Sequence, residues 1–542
     1  MHWVDQAAEE LLKKGKEHVI ASGTSISGHI HIGHCNDVFI ADAVRRAVEG
    51  KGGKAVTIWY ADDFDPLRRV PAYLPPGYEK FLGMPYANLP SPEPGFENFV
   101  DYFARPFLQS LDAFGIKVQV YYGSKVYKSG QLSPLIRLAL ERADTIRCIL
   151  NRFREKPLPE NWLPYDPVCS KCGRIATTEA YDWQGNWVFY RCLGCEYTKG
   201  CGNEDQADYT KGEGKLTWRV EWPARWKMLG VTCEPFGKDH AEAGGSYETG
   251  KLIIREVFGG EPPYPIPYEW VSLSGERMSS SKGVVFTLPD WLRVAEPELL
   301  RFFIFRSKPM KAKNFDPGPY LLNLYDEFDE LERSYFEGRA GERARIYELS
   351  LTGPPGTTPP QRLPIRFSVV LCQVAKDRKH AEEIILSRGL MRNPTPQDME
   401  AAFRRLKLAE EWVRKYAPEE LRVSLQQSPP PPGAFSEKEL RALKKLVERM
   451  ERVEWSPVQL HNLVYEVARE ELLEPSVLFE ALYLLFLWRR SGPRVGNLLA
   501  ALDRSFVLER IRAVTKVSFE TRVANFKILC EVNFDEDASL RL

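Results

Sequence analysis

Between Glu17 and Asp62 the chain reads as strand, glycine-punctuated turn, helix and strand in immediate succession, and few folds admit that order. "EHVIAS" (Glu17–Ser22) is a short apolar run, and "KAVTIWYAD" (Lys54–Asp62) is a second one that ends in acidic residues. Between them Val38, Ala41, Val44 and Val48 recur at helical spacing over His34–Glu49. Two strands joined through a helix lie parallel, and parallel sheets are covered on both faces. "KVQVYY" (Lys117–Tyr122) adds a third strand after a helix over Asn98–Phe114. The pattern resumes with a strand in Gly230–His240, a helix over Ser246–Phe258 and a strand in Tyr268–Gly275. The expected fold class is α/β, a Rossmann-type doubly wound parallel sheet whose ligands gather at the carboxyl ends of its strands.

At 542 residues the chain is too long for one core. The sheet is expected to occupy residues 1–163 and 206–275, interrupted by a small zinc-binding insert at 164–205. A loop and connecting segment follow at 276–320, an all-α C-terminal domain at 321–514, and a tail of unassigned role, alternating like strands, at 515–542. Proline-rich breaks at Gly353–Pro364 and Ser428–Gly433 punctuate the helical part, and Ser456-Pro457 is a good helix start. Lys and Arg number 74 and Asp and Glu 74, so net charge is zero, which argues against a protein that coats nucleic acid non-specifically but leaves room for a local basic face. No run of eighteen apolar residues occurs, and the amino-terminal segment is charged without an apolar signal core. A cytoplasmic location and no membrane partner are therefore expected.

Chemistry concentrates in two short stretches. Ser22–His34, from the first strand to the first helix, carries Gly23, Gly28 and Gly33 for close backbone approach, and three of the chain's eight histidines at 29, 31 and 34. A helix amino terminus favours polyphosphate, and His31 and His34 can donate hydrogen bonds to an α-phosphate as charge grows on it. Far downstream, Arg277-Met-Ser-Ser-Ser-Lys-Gly283 offers three hydroxyls (Ser279, Ser280, Ser281) and Lys282. Lys282 suits a β- or γ-phosphate, and such a loop can close over a leaving pyrophosphate. Alone, the second stretch reads equally as a polar surface loop. Together they describe a site that binds a nucleoside triphosphate by its phosphates, with His31, His34 and Lys282 as catalytic groups and Gly28, Gly33, Ser279, Ser280 and Ser281 around the nucleotide.

Cys169-x-x-Cys172, nineteen residues, then Cys192-x-x-Cys195 matches a four-thiolate zinc pattern. The metal ligands expected are Cys169, Cys172, Cys192 and Cys195, with Cys201 as a substitute for one of them. A closed four-sulfur site is structural rather than catalytic.

The histidine stretch and the serine–lysine loop match the two signature motifs of class I aminoacyl-tRNA synthetases. More narrowly, the chain resembles the class I lysyl-tRNA synthetases of archaea and some bacteria. The likeness is carried by "SGHIHIG" (Ser27–Gly33), "DDFDPLRRVP" (Asp62–Pro71), "WRVEWPARWKMLGVTCEPFGKDH" (Trp218–His240), "RFFIFRSKPMKAKNFDPG" (Arg301–Gly318) and "GPRVGNLLAALDRSFVLERIR" (Gly492–Arg512). This resemblance implies ATP-dependent activation of lysine to an adenylate and its transfer to tRNA(Lys). ATP, Mg²⁺ and structural Zn²⁺ are the implied cofactors, and the helical domain is implied to read the anticodon. It also implies an amino-acid site at Gly23, Ser25, Trp218, His240 and Tyr268, with Ser25 standing where a threonine is expected. Asp62, Asp63 and Asp65, at the end of the second strand, are the carboxylates that suit an ε-ammonium, Asp62 foremost. Each tryptophan reads equally as core packing. Some family members carry a Cys/His cluster after the "DPLR" segment. Ser91–Tyr102 here holds neither residue, so a second zinc is not expected, and the insert is too short for an editing domain. The rivals are a class I synthetase for another amino acid and a non-catalytic, zinc-containing nucleic-acid-binding protein.

Overall fold

The computed structural model describes residues 1–516, so most of the 515–542 tail lies outside the described residues. The residues fall into two compact units. The first comprises Met1–Leu292, Pro297–Asp316 and Glu337–Pro355; the second comprises Arg293–Glu296, Pro317–Phe336 and the chain from Gly356 onward. Glu337–Pro355, part of the helical region in the sequence reading, thus belongs with the first unit. There the helix Ala344–Ser350 packs on Pro297–Phe305, and Arg301 donates to the Leu349 carbonyl.

The first unit is built on five parallel strands: β1 (Glu17–Ser25), β2 (Lys54–Asp62), β3 (Gln119–Tyr122), β4 (Cys233–Gly237) and β5 (Tyr264–Tyr268). Their order across the sheet is β5-β4-β1-β2-β3, so the chain winds outward on one side of β1 and then on the other. The helix Asn36–Gly50 connects β1 to β2 and buries Phe39, Val44 and Val48. Tyr264–Tyr268 differs from the expected strand at Tyr268–Gly275, of which Val271–Leu273 pairs in a separate small sheet. Pro265 and Pro267 argue against a strand in sequence. The structure accommodates them because β5 is an edge: Tyr264 N–H donates inward to Thr232, and the alternate prolines take the positions where no donor is needed.

The insert stands on a two-stranded root, Tyr165–Pro167 antiparallel to Gly214–Leu216. Its body is a three-stranded antiparallel sheet with Trp187–Cys192 between Thr178–Gln184 and Glu204–Asp208. In the second unit, described residues form helices and no strands. Leu443, Leu446, Val464, Leu482 and Ile511 lie in its core, and Arg405 is buried between Glu296 and Asp329. The Ser456 hydroxyl caps Pro457–Glu470, as the Ser-Pro pair predicts. No helix among the described residues is long and apolar enough to cross a membrane.

Candidate active site

Strand order reverses between β1 and β4, and in a doubly wound sheet the crevice at that reversal is where ligands sit. A cavity of about 290 Å³ occupies it. Gly23, Thr24 and Ser25 line it from the end of β1, Gly237, Asp239 and His240 from the end of β4, Tyr268 from the end of β5 and Trp270 from just beyond it. His31, Gly33, His34 and Asp37 close it from the turn after β1, and Arg277 and Met278 from the downstream loop.

The phosphate-handling side is compact. The His31 and His34 rings stack 3.7 Å apart, and the His34 backbone N–H donates both to the His31 carbonyl and, at 3.3 Å, to His31 Nδ1. That bond leaves the His31 proton on Nε2. Burial above all, with His34 and Arg277 adding positive charge, pushes His31 down to about 2; burial and Arg277 push His34 to about 4. Both imidazoles are therefore neutral near pH 7. The His34 Nδ1 atom is buried with no protein partner. Asp37, in the first turn of the following helix, accepts the Gly23 N–H, and burial raises its carboxyl to about 8. It thus adds no full negative charge beside a site for anions. His29 serves packing, its ring 4.9 Å from Phe103 and 5.3 Å from Tyr73.

The two signature stretches, about 250 residues apart in sequence, meet. Ser280 Oγ donates to the His29 carbonyl at 2.6 Å, Tyr73 Oη donates to the Ser280 carbonyl at 2.9 Å, and Ile32 N–H donates to the Phe286 carbonyl. Gly28 permits this approach, since a Cβ there would lie 2.1 Å from Tyr73 Oη. Arg277 stacks 3.5 Å over the Trp270 ring and stands 3.7 Å from Asp239. Gly28, Ser279, Ser280 and Lys282 do not line the cavity; the Ser280 hydroxyl is taken up by the loop contact, and Lys282 is exposed.

The other side is rich in aromatic rings and paired charges. Helix Trp218–Leu229 presents Trp218 and Trp222 stacked at 5.5 Å, with the His240 ring 5.3 Å from Trp222 and 6.0 Å from Trp218. Trp222 and Trp226 both donate their indole N–H to the buried Glu234 carboxylate. Asp62 is buried against the Arg225 guanidinium, which lies 4.1 Å over the Tyr60 ring. Lys215 Nζ is 2.6 Å from both Asp65 and Glu221. Burial pushes the Asp62 carboxyl upward, and the Arg225 guanidinium pressed against it opposes that shift and favours the charged form. Asp62 and Trp218 stand behind the cavity wall rather than in its lining, and Asp62 already has a cationic partner. Asp37, Asp239 and Trp270 have no role in the sequence reading, although Asp37 lies one helical turn from His34; Arg277 opens the serine–lysine stretch but has no role of its own there.

In the insert, the sulfurs of Cys169, Cys172, Cys192 and Cys201 lie within 4.8 Å of one another. The pairs Cys169–Cys201 and Cys172–Cys192 are 3.6 and 3.7 Å apart. A tetrahedral Zn–S₄ centre with bonds of about 2.3 Å has edges of about 3.8 Å, whereas a disulfide spans about 2.05 Å. The donor set fits zinc. Cys195, expected in this group from its spacing, lies outside it. After Cys192 the chain makes a small hairpin, Gly194–Cys195 against Thr198–Lys199, which carries Cys195 away and returns Cys201, whose N–H reaches Cys192 Sγ. Each knuckle ends in Cys-Gly, and Gly173 and Gly202 share left-handed φ values of 71° and 73°.

Residues 1–353 match the family model described as tRNA synthetases class I (K). The chain is 40% identical over 531 residues to the Lysine--tRNA ligase of Methanosphaera stadtmanae, covering 94% of this chain and 99% of that one. It is 42% identical to the Lysine--tRNA ligase of Archaeoglobus fulgidus, covering 95% and 100%. A solved glutamate tRNA ligase from Elizabethkingia meningosepticum aligns over 92% of this chain and 99% of that one, with a TM-score of 0.41 and 12% identity. With a family model over most of its length and full-length relatives near 40% identity, the chain belongs to the class I (K) tRNA synthetases.

Proposed function

We propose that the protein is a lysine–tRNA ligase that joins L-lysine to tRNA(Lys) through a lysyl-adenylate. The observation that carries this reading is the meeting of the two phosphate-handling stretches at the strand reversal, with an aromatic amino-acid side opposite them. The relatives named above support lysine as the amino acid.

In the first step a lysine carboxylate oxygen attacks the α-phosphorus of ATP, the bond to the β-phosphate bridging oxygen breaks, and pyrophosphate leaves. The nucleophile comes with the substrate, so the protein positions and stabilises charge. His31 Nε2–H and His34 donate to α-phosphate oxygens as their charge grows, and their neutrality leaves hydrogen bonding as the means. Lys282 and Arg277 neutralise the outgoing phosphates, with Gly33 against the nucleotide and the Ser279–Ser281 loop, anchored at Gly28 and Ser280, closing over it. Mg²⁺ would come with the ATP phosphates and supply charge neutralisation there, without a dedicated protein cage. Gly23, Ser25, His240 and Tyr268 contact lysine, and Trp218 backs His240. Asp62 acts on the ammonium as part of the Arg225 pair, by setting the charge behind the pocket. In the second step the terminal ribose hydroxyl of tRNA attacks the lysyl carbonyl, and AMP departs.

Cys169, Cys172, Cys192 and Cys201 would hold a Zn²⁺ that shapes the insert, and the helical unit reads the anticodon. A cytoplasmic location follows from that role.

Pyrophosphate exchange into ATP, run with each amino acid and with tRNA both present and absent, tests the reading. Lysine-dependent exchange is expected to dominate. Exchange driven by glutamate or cysteine instead of lysine would overturn the substrate, and no exchange with any amino acid would overturn the enzyme.

A further inference from the structure

A second cavity, of about 350 Å³, lies beside the amino-acid side of the site and takes no part in the chemistry above. Leu150, Phe153, Arg154, Glu155, Lys156 and Arg219 line it. Three cations face one carboxylate, and no carboxylate among the described residues forms an ion pair with Arg154, Lys156 or Arg219. Arg219 is fixed in place, donating to the Gly244 carbonyl at 2.9 Å and to Thr249 Oγ1 at 3.3 Å. Arg154 is near enough to depress the Arg219 pKa, with burial the larger cause. An excess of cations, three against one carboxylate and none of them ion-paired among the described residues, suits an anion. Phe153 adds an aromatic surface, 38% exposed, packed at its base on Gly244.

Placement connects this cavity to catalysis. Arg219 follows Trp218 in the same helix. The turn from Lys238 to Ser246 reaches both cavities: His240 lines the first, and Gly244 touches Phe153 and Arg219 beside the second. A ligand running across that turn would have one end in the reacting site. Cations for phosphates together with an aromatic face for a base are the means by which single-stranded nucleic acid is held.

We propose that the Phe153–Lys156 turn and Arg219 form a binding site for the single-stranded 3′ end of tRNA, phosphates on Arg154, Lys156 and Arg219 and an unstacked base on Phe153. This rests on the ligase reading and assigns to it where the acceptor strand enters.

The test compares an intact tRNA(Lys) transcript with the same transcript lacking its three 3′-terminal nucleotides. Binding to wild type and to the Arg154→Ala/Lys156→Ala and Phe153→Ala variants is measured by filter retention, and charging of the intact transcript is measured alongside. Wild type is expected to prefer the intact transcript. The double variant should lose most of that preference and show a roughly tenfold higher KM for tRNA, with KM for lysine and ATP unchanged. Phe153→Ala should lose threefold or more, and Phe153→Tyr should restore it. These residues are exposed, so unfolding midpoints should not move. If wild type charges tRNA and the variants discriminate as it does, this site is wrong while the ligase reading stands. If wild type charges no tRNA, the ligase reading falls and this assignment falls with it.

Discussion

The two sides of the 290 Å³ cavity treat polar groups in opposite ways. On the phosphate side burial keeps His31, His34 and Asp37 uncharged, and His34 Nδ1 has no protein partner. On the amino-acid side the charges are matched: Arg225 with Asp62, Lys215 with Asp65 and Glu221, and Glu234 with two indoles. A side whose ligand brings four negative charges needs donors without charge partners of their own. A side that must distinguish one amino acid from others needs a fixed shape, and a saturated network supplies it. Substitutions on the matched side should therefore cost stability first, and those on the neutral side should cost chemistry first.

The largest loss is expected where partners are most complete, in the sulfur cluster. Cys201→Ser should lower bound zinc from about one per chain to near zero and loosen the insert, whereas Cys195→Ser should retain the metal. Metal analysis of the purified variants checks this. Next, Arg225→Met leaves Asp62 buried without its cation and should destabilise the first unit by about 3–5 kcal/mol in urea unfolding. His34→Ala should do the reverse: exchange falls by about 10²–10³-fold, while the unfolding midpoint and lysine KM stay close to wild type. If His34→Ala proves as destabilising as Arg225→Met, the contrast between the two sides is lost.

Acid should act on the neutral side with opposing signs. His34 has a folded pKa of about 4, below its unfolded value, so its contribution is complete above about 6.5 and is lost as pH falls toward 4. Asp37, raised to about 8, works the other way, its cost growing as pH climbs from about 4 to 8. Stability of His34→Gln measured against pH should lack His34's share of the acid loss, a change on the order of 1–3 kcal/mol, while that of His31 remains; Asp37→Asn should lack the alkaline one. The smallest effect is expected for Tyr73→Phe, which removes a single hydrogen bond to the Ser280 carbonyl, worth about 1 kcal/mol. Exchange should drop roughly two- to fivefold, and trypsin should cut faster at Arg277 and Lys282.

Legibility in the sequence followed the same divide. The histidine turn was readable because its parts lie within one strand–turn–helix passage, where spacing translates directly into geometry. Strand β2 was readable to the residue, Lys54–Asp62, because it is apolar and flanked by turn residues. β5 was not, since two prolines hide a strand whose edge position only the assembled sheet reveals. Arg277, Trp270 and Asp239 come together through tertiary contact alone, and nothing in their local spacing announces it. The pairing of Arg225 with Asp62, 163 residues apart, likewise gave no warning that the expected carboxylate already had a cation. Cys201 did carry a signal: like Cys172, and unlike Cys195, it is followed by glycine.

The proline pair in β5 has a consequence for how these molecules behave in a crowd. An open sheet edge is a template on which another chain can add a strand and begin aggregation. Here the outward positions of β5 carry Pro265 and Pro267, which have no amide hydrogen to offer, and the opposite edge, β3, is only four residues long. A newly made or partly unfolded neighbour finds little to pair with on either flank, so the sheet that carries the reacting site is protected from growing beyond itself.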